Sequence, residues 1–243
     1  MALIEGKNSV IEALEGTRKI YKIYLQQGTD NKKISRIQKL AQKKDIPVEK
    51  ITAAKIKQLA HSAVPQGVVA EGEELKNYKI EEILQQASDK NEPPLIVLLD
   101  HIQDPHNFGA ILRSAYAVGA HGVIYPSDRA AGITPVVLKA AAGAAEHLAL
   151  AQVANINYAI QKLKDEGLWV AGADITDASV CHQQDLKGSL ALVIGSEGKG
   201  LSRLVRENCD FLVKIPMKQN LDSFNVSVAA GILLYEIMRQ RDE

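Results

Sequence analysis

Six short apolar runs most constrain what this chain can fold into: residues 95–99, 122–125, 148–153, 168–173, 190–194 and 211–215. Each has strand length, and the strongest, Leu95-Ile-Val-Leu-Leu99, is apolar at every position, as expected of a strand covered on both faces. Helical patterns fall between the runs at 107–118, 134–142, 156–166 and 201–208, and a last one at 225–241 closes the chain. Strands alternating with helices predict a mostly parallel sheet with helices on both sides. In such α/β sheets ligands bind beyond the carboxyl ends of the strands, so the loops that follow the runs are where chemistry is expected.

The first seventy residues read as a smaller α/β unit, with helices at 8–14, 32–43 and 53–59 and strands at 20–25, 47–51 and 67–71. The chain is neutral overall, but residues 1–70 carry thirteen Lys and Arg against six Asp and Glu, a net +7 balanced by −7 in the remainder. Such a contrast points to a nucleic-acid partner for the basic part, the alternative being a solvated lysine-rich face. Residues 71–94 turn acidic and polar and end in Pro93-Pro94, and a helix is predicted at 80–87 within them. The predicted organisation is a domain at 1–72, a linker with a possible helix at 73–94, and a larger domain at 95–243. His61 falls near a loop, where a solvated role is expected.

With 46% hydrophobic residues the chain can bury a core, yet it has no apolar run of eighteen residues and no apolar segment at its N-terminus. A cytoplasmic protein with no membrane partner is expected. Cys181 and Cys209 have neither metal-site spacing nor the density of a disulfide framework, and are read as ordinary reduced cysteines.

Three strand-end loops carry the chemistry. The first, 100–109, leads into a helix, with Asn107 as its expected N-cap and Arg113 six residues on. The second, Gly195-Ser-Glu-Gly-Lys-Gly200, matches neither the dinucleotide fingerprint nor the P-loop, but its glycines permit close backbone approach to a ligand. Glu197 within it is suited either to a helix start or to orienting a substrate hydroxyl. In the third, 213–231, a strand ends at Pro216, a polar loop follows, and Ser223, Asn225 and Ser227 cluster where the final helix begins. Along that helix Val228, Ile232, Tyr235 and Met238 recur at helical spacing, and Ala229, Ala230 and Gly231 give a thin face. Asn107, Arg113, Glu197, Ser223 and Asn225 form a set rich in hydrogen bonding, without a cysteine nucleophile, a histidine base or a metal-ligand cluster. Group transfer to a hydroxyl, in which positioning carries much of the catalysis, suits such a set.

The three loops resemble the motifs of the SpoU (TrmH-like) RNA ribose 2′-O-methyltransferases of the SPOUT superfamily. Asp104-Pro-His-Asn-Phe-Gly-Ala-Ile-Leu-Arg113 is similar to the first motif, Leu192-Val-Ile-Gly-Ser-Glu-Gly-Lys-Gly-Leu201 to the second, and Ile215-Pro-Met through Ser223-Phe-Asn-Val-Ser-Val-Ala229 to the third. The resemblance spans residues 95–241. Gly6-Lys-Asn-Ser-Val-Ile-Glu-Ala-Leu14 and Pro65-Gln-Gly-Val-Val-Ala70 resemble the N-terminal domain of the branch that methylates a guanosine of 23S ribosomal RNA, similar in pattern to a ribosomal-protein fold. Pro65 stands where that branch usually has His, and Phe224 where the third motif usually has Leu.

The resemblance implies a C-terminal trefoil knot, S-adenosylmethionine as cofactor with contacts at Gly195, Ile215 and Phe224, and a homodimer whose active site is completed across the interface. It further implies catalytic roles for Asn107, Arg113, Glu197, Ser223 and Asn225, with RNA as substrate. Transfer RNA as the target stays open, as does an RNA-binding module without transfer. A dehydrogenase is disfavoured by the missing dinucleotide fingerprint.

Overall fold

A computed structural model describes residues 1–60, 66–128, 130–219 and 223–243. His61 and Pro65, noted in the sequence, lie outside the described residues. Two sheets organise the chain. The first is built from β1 (Ala2–Glu5), β2 (Ile20–Gln26), β3 (Val48–Ile51) and β4 (Val68–Gly72) in the order β1-β4-β2-β3. Strand β3 runs parallel to β2, whereas β4 is antiparallel to both β1 and β2. Helices α1 (Lys7–Glu15) and α2 (Lys32–Lys43) cover one face, where Val10, Leu14, Ile34 and Ile37 pack on Ile23 and Val68. Helix α3 (Ala53–Leu59) covers the other through Ile56. Strand β1 was not expected from the sequence; four residues at the chain start give too short a pattern for alternation to register.

Helix α4 (Ile80–Asp89) crosses to the second sheet, on which Ile80 and Ile83 pack. This sheet comprises β5 (Leu95–Asp100), β6 (Gly122–Pro126), β7 (Ala149–Val153), β8 (Trp169–Ala173), the two-residue β9 (Ser179–Val180), β10 (Leu190–Gly195) and β11 (Phe211–Lys214). The order is β7-β6-β5-β10-β8-β11-β9, and every neighbouring pair is parallel. Side chains of β5 alternate between two cores. Leu95, Val97 and Leu99 face α5 (Pro105–Ala117), α6 (Pro135–Ala140) and α9 (Val226–Arg241), while Ile96 and Leu98 face α4, α7 (Ile156–Asp165) and α8 (Arg203–Asn208). Burial on both faces explains why the sequence runs are continuously apolar.

Strand order fixes where a ligand can enter. From β5 the chain moves outward to β6 and β7, whereas from β10 it moves the other way, past β8 to β11. The adjacent strands β5 and β10 therefore form a topological switch point, with a crevice beyond their carboxyl ends. The loops leaving them are the first two of the three singled out in the sequence.

The final helix departs from its sequence pattern. It buries Val226, Ala230, Leu233, Leu234 and Ile237, while Val228, Ile232 and Tyr235 stand 48%, 36% and 59% exposed. The spacing thus marks an outward apolar stripe, and the thin face is used where Gly231 passes Ser114 of α5.

Polar contacts join the two sheets' layers, among them His147 Nε2 with Glu12 Oε2 of α1 at 2.9 Å. Arg18 donates to Glu146 Oε1 at 2.8 Å and to the Glu73 carbonyl at 2.6 Å, and both side chains of the Arg18–Glu146 pair are almost fully buried. Burial pushes the Glu146 carboxyl above the usual range, opposed by the Arg18 charge. Among the described residues no helix is long and apolar enough to cross a membrane.

Candidate active site

The loop after β5 places its residues through an Asp-Pro start. Asp104, not Asn107, is the N-cap of α5: its carboxylate accepts from the Asn107 backbone N–H at 2.8 Å, and Pro105 occupies the first helical position, where a missing N–H costs nothing. The sequence expectation that Asn107 caps the helix is corrected: α5 already begins at Pro105, so Asn107 lies within its first turn and its backbone N–H is the one that Asp104 satisfies. The Asn107 side chain is thereby released to point away from its own helix.

It points to Glu197. Asn107 Nδ2 donates to Glu197 Oε1 at 2.8 Å, and Asn225 Nδ2 donates to the same oxygen at 2.8 Å and to Asn107 Oδ1 at 3.2 Å. Asn225 does cap α9, since its Oδ1 accepts from the backbone N–H of Ser227 at 3.0 Å and from the Ser227 hydroxyl at 2.6 Å. Those donors fix the amide orientation: with Oδ1 turned to the helix, Nδ2 must face Glu197. Among the described residues Glu197 Oε2 takes no hydrogen bond, which leaves an acceptor for a substrate hydroxyl.

The glycine-rich loop presents Glu197 by folding back on itself. Ser196 and Gly200 exchange backbone hydrogen bonds at 3.0 and 2.9 Å, and Gly198 and Gly200 adopt left-handed φ of 75° and 64°. A Cβ on Gly195 would lie 2.2 Å from the Gly200 carbonyl carbon, so only glycine permits this return.

Two cavities share the loop. On the β10–β11 side lies a cavity of about 760 Å³ walled by Ile194, Val213, Ile215, Met217 and Phe224, with Gly195, Ser223 and Thr176 on its edge. On the β5–α5 side lies a polar cleft of about 500 Å³ lined by Asp100, His101, Gln103 and Asn107. Ser196, Glu197, Lys199 and Gly200 border both. The larger cavity has the volume, apolar walls and bare backbone edge that suit a nucleoside-sized cofactor.

Of the predicted residues, Gly195, Ile215, Ser223 and Phe224 share the larger cavity and Asn107, Glu197 and Asn225 are bonded together. Arg113 is apart from both: it is exposed on α5 and lines neither cavity. Six residues of helix turn it roughly 240° from Asn107, so the two side chains leave different faces. Sequence reasoning missed Asp174 and Arg206, paired at 3.0 Å on the rim of the larger cavity, and the Asp100–His101 pair in the cleft. A buried carboxylate ending an all-apolar strand was the signal available for Asp100. Cys181 and Cys209 line neither cavity, and burial pushes the Cys209 thiol up to about 12.

A cofactor-sized cavity and a hydrogen-bonded acceptor cluster, on two sides of one loop at a sheet switch point, define a group-transfer enzyme. The SpoU rRNA methylase family model matches residues 94–235, and the RNA 2′-O ribose methyltransferase substrate-binding model matches residues 3–78. The chain belongs to the SpoU methyltransferase family. It is 42% identical over 237 residues to YacO of Bacillus subtilis strain 168, named for the TrmH family of tRNA/rRNA methyltransferases, covering 98% of this chain and 95% of the relative. It is 40% identical to the 23S rRNA (guanosine-2′-O-)-methyltransferase RlmB of Coxiella burnetii, covering 98% and 96%. The SpoU methyltransferase AviRb from Streptomyces viridochromogenes, solved in complex with AdoMet, superposes with a TM-score of 0.82 at 26% identity, over 99% of this chain and 90% of that one. The chain is thus an RNA ribose methyltransferase that uses S-adenosylmethionine.

Gly195→Ala is expected to weaken S-adenosylmethionine binding by about 5- to 150-fold, since forcing backbone apart in a packed turn costs roughly 1–3 kcal/mol. Calorimetric titration of a variant with native circular dichroism checks this, and unchanged affinity would contradict the reading of the loop.

Proposed function

We propose that this enzyme methylates the 2′-hydroxyl of a guanosine in 23S ribosomal RNA, in the cytoplasm. The observation that carries this is the Asn107–Glu197–Asn225 cluster, which leaves Glu197 Oε2 as an acceptor beside the cofactor cavity. Likeness to RlmB over almost the whole of both chains supports the ribosomal target. The larger cavity would hold the cofactor against Gly195, Ile215 and Phe224. The cofactor supplies a methyl group on a sulfonium, which leaves as a neutral thioether when the carbon–oxygen bond forms. The chain's own residues must orient the ribose and accommodate the proton that its hydroxyl loses. Glu197 Oε2 accepts the hydroxyl hydrogen bond and takes the proton as the carbon–oxygen bond forms, Asn107 and Asn225 hold Glu197, and Ser223 completes the wall on the cofactor side.

Arg113 is assigned to the forming alkoxide. A guanidinium does not give up its proton in the ordinary range, so it serves by charge and geometry and not as a base. Arg113 is exposed on α5, and α5 packs against α9, the helix that carries the outward stripe Val228, Ile232 and Tyr235; both exposures fit a homodimer in which Arg113 reaches the partner's site. The trefoil knot implied by the resemblance belongs to the same proposal, as does RNA binding by residues 1–72. Helix α2 gives that domain a basic surface, where Lys32, Arg36, Lys39 and Lys43 line one shallow groove suited to phosphates.

Labelled methyl transfer to unmodified 23S ribosomal RNA, with transfer RNA alongside and the 2′-O-methyl position mapped, tests the substrate. Label on a 23S guanosine is the expected result, and label confined to transfer RNA would overturn it. For the dimer, Ile232→Asp should give a monomer by light scattering with methyl transfer abolished; a monomeric, fully active wild-type enzyme would refute the shared site.

A further inference from the structure

The cleft on the β5–α5 side has polar groups that the cofactor does not need. Asp100 is 1% exposed, at the carboxyl end of β5, and its two oxygens are both engaged: Oδ2 accepts from the Ser202 backbone N–H at 2.6 Å and Oδ1 lies 2.5 Å from His101 Nδ1. A carboxylate only accepts, so Nδ1 carries the hydrogen of that contact and Nε2 is the ring atom left for another partner. The His101 side chain is about one-third exposed and lines the cleft with Gln103, Asn107, Glu197 and Lys199. Its backbone is held at φ 60°, a left-handed conformation that side-chain-bearing residues seldom adopt. A histidine that is oriented by a buried carboxylate and held in an uncommon backbone conformation at a sheet switch point is built to face a ligand.

The wall opposite the cofactor cavity identifies that ligand. Glu197 borders both spaces, so whatever occupies the cleft lies against Glu197 from the side away from the larger cavity. Lys199, on the same loop, adds a positive charge at the rim. We propose that this cleft is the binding site for the target nucleotide of the substrate RNA, with His101 Nε2 as a direct contact to it and Asp100 as the positioning residue that orients the ring. The proposal rests on the RNA methyltransferase reading and adds the place where the acceptor nucleotide sits.

Variants His101→Ala and His101→Gln test it, assayed for methyl transfer over a range of RNA concentrations and for S-adenosylmethionine affinity by calorimetry. His101→Ala should lower kcat/KM for RNA up to about tenfold, the upper end of what one neutral hydrogen bond contributes, with cofactor affinity within about twofold of wild type. His101→Gln should recover most of the activity, because its amide can donate to Asp100 while offering a polar group to the cleft. Fluorescence anisotropy of the same RNA on the cofactor-loaded protein gives a readout that needs no turnover, and His101→Ala should weaken it. Wild-type kcat/KM and RNA affinity in His101→Ala would overturn the proposal, as would an equal fall in RNA and cofactor affinity, which would mark a structural role. A wild-type enzyme that methylates no RNA would instead defeat the parent reading, so the two failures are distinguishable.

Discussion

The site depends on one oxygen. Glu197 Oε1 accepts hydrogen bonds from Asn107 and Asn225, whose side chains come from the starts of two different helices. The three residues are 90, 28 and 118 positions apart pairwise, yet the bonds close a triangle. Removing either amide would leave the carboxylate with half its orientation, and displacing the glycine-rich loop would remove the carboxylate itself. The sheet order makes the triangle available, because β5 and β10 are neighbours that send their loops into one crevice.

Two spaces on either side of a single loop suit a transfer between two large substrates. In the proposed reading the donor would take the cavity walled by Ile215, Phe224 and the glycines, and the acceptor the cleft on the β5 side, where Asp100, His101, Gln103 and Asn107 gather. Glu197 stands where both meet. Such an arrangement would catalyse mainly by fixing the approach of oxygen to carbon, so the proposed site can carry the reaction with no nucleophilic cysteine or metal-ligand cluster among the described residues. In the proposed assembly the outward stripe on α9 and the exposed Arg113 on the neighbouring α5 let the remaining charge come from a second subunit.

Most of the second sheet was legible because strands buried on both faces leave a signal that survives without context. Residues 95–99 and 190–194 are apolar throughout and became the central pair of the sheet. What the sequence withheld was relational. Asn107 looks like a helix cap by residue type, and only the reach of Asp104 to its backbone amide shows that the side chain is free for Glu197. Val228, Ile232 and Tyr235 keep helical spacing whether they face a core or solvent, so periodicity could not tell which stripe is buried. His101 carries no local pattern at all; its role emerges from a buried carboxylate beside it and a backbone conformation that the sequence does not encode visibly.

The central claim is that donor and acceptor meet at Glu197 across the glycine-rich loop. It is tested most directly by a crystal structure of the enzyme with S-adenosylmethionine bound. The account predicts the cofactor in the cavity walled by Ile215 and Phe224, its sulfonium methyl turned toward the Asn107–Glu197–Asn225 triangle, with the chain threaded as a trefoil knot around it. A cofactor seated elsewhere, or one whose methyl points away from Glu197, would contradict it.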